Sequence, residues 1–222
     1  MKKTYILGNW KSNKTREEAR GWYSAFVKAM PPNAPDCTVI ICPSFHHLPV
    51  FVNPPFALGV QDLSPFSEGA YTGEIAAKMV SGDVQYALLG HSERRTNFGE
   101  TDALISKKVE RAIETGITPV VCVSSLEQAS ALRGLVPAFE KTGLLLYEPL
   151  SAIGSGNADT PENAGAKAKE IREILPVPVL YGGSVTPDNV KGFMENEHLS
   201  GVGVGGASLD AGKFSHLIAA AR

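Results

Sequence analysis

Short apolar runs and longer amphipathic stretches alternate along the chain. The runs "TYILGNW", "CTVIICPS", "FALGVQD", "QYALLGH", "ITPVVCV", "GLLLYEP", "VPVLYGG" and "SGVGVGG" number eight and recur about every 25 to 30 residues. Each is rich in β-branched residues or leucine and leads into a loop with Gly, Ser or Pro, which predicts strands. Between them, "TREEARGWYSAFVKAM" and "ETDALISKKVERAIETG" place apolar residues at helical spacing with a charged opposite face, and the second stops at Gly116, as helices often do. "TPENAGAKAKEIREIL" offers Thr160 as an N-cap and Pro161 at the first helical position. Strands that read as continuous apolar runs are covered on both faces, the mark of a parallel sheet with crossover helices. Eight such units are the number that closes a (β/α)8 barrel, whereas doubly wound sheets usually stop sooner. No interdomain linker, low-complexity tract or solenoid repeat interrupts them, so an α/β fold with one domain over residues 1–222 is expected.

Composition narrows the partners. Of 222 residues, 43% are hydrophobic, enough to bury a sizeable core. The 21 Lys and Arg nearly cancel the 23 Asp and Glu, for a formal net charge of −2, and no basic block or long single-sign run points to nucleic acid or an anionic membrane. The apolar run Tyr5-Ile6-Leu7 is too short for a signal peptide, and no stretch approaches the roughly 18 apolar residues of a membrane span. Cys37, Cys42 and Cys122 form no C-x-x-C pair, and Cys37 and Cys42 fall on opposite faces of one strand. Reduced thiols, a cytoplasmic location and a small-molecule partner are the expectations.

In a barrel of this kind the working groups sit at the C-terminal ends of the strands. Those ends carry Asn9 and Lys11, Pro43-Ser44, Gln61-Asp62, His91, Ser124, Glu148, Gly182-Gly183-Ser184 and Gly205-Gly206. Taken singly, each has a plainer reading: a strand-end glutamate caps a helix or pairs with a lysine, a lone histidine packs, a loop lysine is solvated. Glu148 stands apart because Pro149 and the glycine-bearing "AIGSG" follow it, a segment able to swing as a lid while its base stays fixed. "GVGVGG" satisfies G-x-G-x-x-G at Gly201, Gly203 and Gly206, yet the 16 residues after Gly206 are too few for a dinucleotide-binding βαβ unit. No nicotinamide or other cofactor is expected. His46-His47 has no further ligand at a metal-binding spacing, so it is expected to pack or lie at the surface, and no metal is expected.

Six motifs in order, "GNWKSN" (8–13), "GAYTGE" (69–74), "GHSERR" (90–95), "YEPLSAIGSG" (147–156), "YGGSV" (181–185) and "GVGGASL" (203–209), give the chain a resemblance to the triosephosphate isomerases along almost its whole length. The resemblance implies a single (β/α)8 TIM barrel that interconverts dihydroxyacetone phosphate and D-glyceraldehyde 3-phosphate through an enediolate, in glycolysis and gluconeogenesis. It makes Glu148 the base at carbon, strengthened by an apolar surround from Ile153 and Leu209 when the lid closes. His91 becomes the neutral imidazole that shuttles a proton between the substrate oxygens. Lys11 stabilises negative charge, Asn9 donates a hydrogen bond, and Glu93 supports the lysine. Arg94 and Arg95 are expected in structural ion pairs. The phosphate is expected on backbone N–H groups at Gly154, Ser184, Gly205 and Gly206. The lid runs through Pro149, Leu150, Ser151, Ala152, Ile153, Gly154, Ser155 and Gly156, with Tyr181 and Ser184 as its latch. "GAYTGE" resembles the loop with which each subunit reaches its neighbour, Thr72 lying near the partner's Asn9 and Lys11, so a homo-oligomer is expected, a dimer first and a tetramer second.

The chain departs from the family pattern in three places. Ser151 stands where many members carry a lid tryptophan. Ser125 replaces the glutamate that braces an arginine of "GHSERR", so that arginine needs another partner. The chain is also short for the fold, and the compression is expected between Cys122 and Glu148, where only abbreviated helices fit. A Schiff-base aldolase is disfavoured because no lysine lies in the strand-six run, and a barrel kept only for binding because base and electrophile are both present.

Overall fold

The computed structural model describes residues 3–30, 37–134, 137–152 and 156–221. Eight parallel strands close into a barrel in chain order: β1 (Thr4–Asn9), β2 (Cys37–Cys42), β3 (Ala57–Val60), β4 (Tyr86–Leu89), β5 (Thr118–Val123), β6 (Leu144–Tyr147), β7 (Val179–Gly182) and β8 (Gly201–Val204). β1 seals the ring, with Thr4 to Asn9 opposite Cys37 to Cys42 on one side and Tyr5 to Gly8 opposite Gly201 to Val204 on the other. The crossovers carry α1 (Arg16–Ala29), α2 (Ala77–Val80), α3 (Ser92–Phe98), α4 (Asp102–Glu114), α5 (Leu126–Ala131), α6 (Pro137–Thr142), α7 (Pro161–Ile174), α8 (Val190–Glu195) and α9 (Ala211–Ala220), with 3-10 turns at Phe45–Val50 and Gly206–Leu209. All eight expected strands and the three expected helices are present. The compression after Cys122 is present too: α5 and α6 have six residues each. No helix among the described residues is long and apolar enough to cross a membrane.

The helices start where the sequence supplies a cap. Thr15 and Glu18 form a reciprocal capping box on α1, and Thr160 accepts from Asn163 N–H ahead of Pro161 in α7. α1 buries Ala19, Trp22 and Phe26, and the Trp22 and Phe26 rings stack at 4.6 Å with Trp10 edge-on to Trp22 at 4.9 Å. Each such buried aromatic contributes about 1.5 to 3 kcal/mol.

Period-2 alternation splits the core into two layers. Residues such as Ile6, Val39, Leu145 and Val202 face the helices, while Tyr5, Leu7, Ile40, Cys42, Leu88, Val120, Cys122, Leu144, Leu146 and Leu180 fill the barrel interior. Gly203 leaves the room that Leu146 occupies, since a side-chain carbon there would come within 2.7 Å of Leu146 Cδ1. The same alternation decides what reaches the mouth. Counting on by twos from the interior residues Leu7, Leu146 and Leu180 arrives at Asn9, Glu148 and Ser184.

Candidate active site

The C-terminal mouth holds a cavity of about 280 Å³ whose wall includes Asn9, Lys11, His91, Glu148, Gly156, Gly182 to Thr186 and Gly203 to Ala207. The structure thus brings Asn9, Lys11, His91, Glu148, Ser184, Gly205 and Gly206 to one wall. Glu93 reaches it through Lys11. Ile153, Gly154 and Ser155 of the expected lid lie outside the described residues. Leu209 ends the Gly206–Leu209 turn and is not part of the cavity wall.

Glu148 is 3% exposed, directly after β6. Its Oε1 lies 3.1 Å from His91 Nε2, and its Oε2 accepts from the Ser92 N–H at 3.2 Å. A buried carboxylate is held only where polar partners meet it, and both the Ser92 N–H that donates and the His91 ring that approaches come from the β4–α3 junction. His91 is the N-cap of α3, and its Nδ1 accepts from the Glu93 N–H at 3.2 Å. A ring nitrogen that accepts is unprotonated, so Nε2 carries the hydrogen on the side of the ring that approaches Glu148. Gly90, with φ 67°, makes the bend that turns His91 out of the strand line.

Lys11 is fixed at both ends. Its backbone takes a left-handed φ of 52°, its N–H donates to Asn9 Oδ1 at 2.9 Å, and its carbonyl accepts from Gln61 Nε2 at 2.9 Å. Its Nζ pairs with Glu93 Oε1 at 2.5 Å. Because Asn9 Oδ1 is engaged by Lys11, its amide NH2 is the half left to donate. Residues held at a left-handed φ against their preference cluster at working sites, and Ser184, at φ 50°, is a second one on this cavity.

The described start of the expected lid and the segment just beyond its end are attached to the loop after β7 and to β7 itself. Ser184 Oγ donates to the Ala152 carbonyl at 2.9 Å, and Tyr181 Oη accepts from the Asp159 N–H at 2.8 Å. Burial pushes the Tyr181 phenol up to about 12, which keeps its proton. Pro149 is buried, whereas Leu150 is 67% exposed beside an exposed Ser151. Cys122 lies on the interior face near Glu148. Burial first, and the Glu148 carboxylate second, push its thiol well above the ordinary value, so it is no nucleophile.

Arg95 donates to Asp102 Oδ1 at 2.6 Å, to the Gly90 carbonyl at 2.8 Å and to the Cys122 carbonyl at 3.3 Å. Asp102, at the start of α4, is therefore the partner that stands in where Ser125 interrupts the pattern, and Ser125 itself caps α5. Arg94 pairs with Asp62 and Glu100. His47 is buried, with its ring edge-on to Trp10, a packing role. The sequence reading missed the Ser92 N–H contact to Glu148. Its signal lay in the residue after His91, since a histidine at an N-cap leaves the following amides without helical partners.

A closed parallel barrel with a carboxylate, an imidazole and an ammonium converging at its C-terminal mouth defines a barrel enzyme with acid–base chemistry. A family model described as Triosephosphate isomerase matches residues 4–221. The chain is 39% identical to the triosephosphate isomerase of Thermus thermophilus over 248 aligned positions, 37% to that of Mycoplasmopsis pulmonis over 242, and 36% to that of Gloeobacter violaceus over 237, each time covering 98% of both chains. The chain belongs to the triosephosphate isomerase family, and its enzyme class is that of the aldose–ketose isomerases. The 248 positions aligned with the Thermus protein exceed the 222 residues here.

Proposed function

We propose that Glu148, His91, Lys11, Asn9 and Glu93 carry out the family's reaction, the interconversion of dihydroxyacetone phosphate and D-glyceraldehyde 3-phosphate, in glycolysis and gluconeogenesis. The observation that carries this reading is the 3.1 Å approach of a buried carboxylate to Nε2 of a histidine whose other nitrogen accepts from backbone. Glu148 removes the proton from one substrate carbon while the His91 Nε2–H donates to the carbonyl oxygen, giving the enediol. The imidazole recovers a proton from the neighbouring hydroxyl, and Glu148 returns its own to the adjacent carbon, so atoms balance with no co-reactant. Lys11 stabilises the charge that builds on oxygen, and the Asn9 amide donates beside it. Substrate entry separates Glu148 from His91, each partner then facing its own substrate atom. The phosphate sits against Ser184, Gly205 and Gly206, with Gly154 from the lid. The lid, Pro149 to Gly156, closes over the enediol and excludes water that would promote loss of phosphate.

Two further expectations belong to the same reading. The "GAYTGE" loop supports a homodimer, with a tetramer as the larger alternative: residues 69 to 74 are mostly exposed, and Phe66 and Tyr71 stack at 4.2 Å while each leaves about two fifths of its surface to solvent. Light scattering checks this, and a fully active monomer overturns it. One domain over residues 1–222 and a cytoplasmic location fit the single barrel and the buried thiols Cys42 and Cys122. The decisive assay is the initial rate of glyceraldehyde 3-phosphate conversion by wild type and by Glu148→Gln. The wild type is expected to be fast and the variant slower by about a thousandfold or more. Equal rates would remove Glu148 as the base.

A further inference from the structure

The turn that follows Gly205 is gripped at its far end by a lysine outside the cavity. The Leu209 carbonyl accepts from Lys14 Nζ at 2.7 Å, across 195 positions of chain. One residue earlier the Ser208 carbonyl accepts from Trp22 Nε1 at 3.1 Å, and Ser208 Oγ donates back to the Gly205 carbonyl at 2.7 Å. At the near end, Lys11 Cε lies 3.7 Å from where a side chain at Gly205 would begin. Two lysines of one loop therefore flank opposite ends of one turn.

Lys14 holds this place against its backbone preference. Its φ is 75°, a conformation that glycine adopts freely and a lysine rarely. Its ammonium lies over the Trp10 ring, 5.1 Å from the centroid, with the carboxylates of Glu18 and Asp210 nearby. A lysine at a φ where glycine is the unstrained choice, with its charge directed onto a backbone carbonyl, marks the side-chain contact as a feature the fold holds against local strain.

We propose that Lys14 is a positioning residue for the phosphate site: by holding the Leu209 carbonyl it fixes the turn that keeps Gly205, Gly206 and Ala207 on the cavity wall, in register with Lys11. The identity of the ligand rests on the isomerase reading above; the bracket itself does not.

The test compares Lys14→Gly, Lys14→Met and Lys14→Arg with wild type. The readouts are the Kd of inorganic phosphate by 31P NMR titration, kcat and KM for glyceraldehyde 3-phosphate, and Tm. Lys14→Gly relieves the left-handed backbone, so it is expected to fold as stably as wild type while losing the contact. The Gly and Met variants should each weaken phosphate binding about tenfold and raise KM in step with little change in kcat, and Arg should restore most of the loss. Unchanged Kd and KM in the Gly and Met variants, whatever their Tm, overturn the bracket. A wild type that binds phosphate in a Lys14-dependent way yet leaves triose phosphate unconverted overturns the isomerase reading and supports the bracket.

Discussion

Two groups of charges meet at the start of α3, through the adjacent residues Glu93 and Arg94, and they use their hydrogen bonds in opposite ways. On the cavity side, His91 and Glu93 face Glu148 and Lys11, and the amide NH2 of Asn9 is left to donate. On the other side, Arg94 joins Asp62, Glu100 and Lys108 in a closed ring: Lys108 to Asp62 at 2.6 Å and to Glu100 at 2.5 Å, Arg94 to Asp62 at 2.8 Å and to Glu100 at 2.7 Å. Each charge in the ring has two partners of opposite sign. The ring spends its bonding on itself, and it ties the loop after β3 to α3 and α4. In the cavity group Lys11 is held by Glu93, but His91 and Glu148 meet at 3.1 Å on the open cavity wall, where substrate can take their partners over. Burial first, and the Glu100 charge after it, raise the pKa of Asp62, with Lys108 as the largest influence pulling it back, which is the cost the ring offsets.

The sharpest way to break this contrast is to remove one member of each group and measure both properties. Glu148→Gln should cut kcat by about a thousandfold or more while leaving Tm at or above wild type, because a buried carboxylate kept for chemistry is commonly a stability cost. Lys108→Met should do the reverse. It leaves a buried Glu100 and a half-buried Asp62 with one cation between them, a loss of about 3 to 5 kcal/mol, or roughly 10 °C in Tm for a chain of this length. The kcat of its folded fraction should stay within about tenfold of wild type. If Lys108→Met abolished turnover with Tm unchanged, the ring would belong to the catalytic group and the contrast would collapse.

The two groups also differ in how readily the sequence discloses them. The cavity group was legible because a barrel sends its working residues to strand ends, and because Glu148, Asn9 and Ser184 continue the inward phase of their strands. His91 was legible from its motif, although the Gly90 bend that aims it breaks the strand phase. The ring was not legible: Lys108 looks like one more charge on an amphipathic helix, and its partners lie 46 and 8 positions away. Only tertiary packing converts that lysine from solvated to 3% exposed. Asp102 as the partner of Arg95 was hidden for the same reason, since the pattern led to Ser125 and the structure supplies the charge from α4.

A smaller effect tests a buried ionisable group that belongs to neither. Burial first, then the neighbouring His46, lower the His47 pKa below its ordinary 6.5. The unfolded chain therefore binds a proton at His47 more readily than the folded one. Stability from this source is fully present above about pH 7 and is lost as pH falls through the unfolded value, with a limiting slope of about 1.4 kcal/mol per pH unit. Urea midpoints at pH 7.5, 6.5 and 5.5 should fall for wild type and fall less steeply for His47→Phe. Parallel slopes would assign the acid loss to other groups.

The smallest expected effect concerns the contact that replaces the family's missing brace. Arg95 is mostly buried, but Asp102 is 41% exposed on its side chain, so water screens the pair and its loss should be modest. Arg95 also retains the Gly90 and Cys122 carbonyls, which position it without Asp102. Asp102→Asn keeps a hydrogen-bond acceptor and removes the charge, and the expected cost is about 0.5 to 1 kcal/mol with kcat unchanged. Placing a carboxylate at the β5 side, Ser125→Glu in the Asp102→Asn background, discriminates two accounts of the departure. If α4 has taken over the brace, the added glutamate recovers nothing and costs the α5 cap that Ser125 makes to the Gln128 N–H. A full recovery of Tm in the double variant would mean that the Arg95 site still accepts a partner from the β5 side, and that Asp102 supplements that position without replacing it.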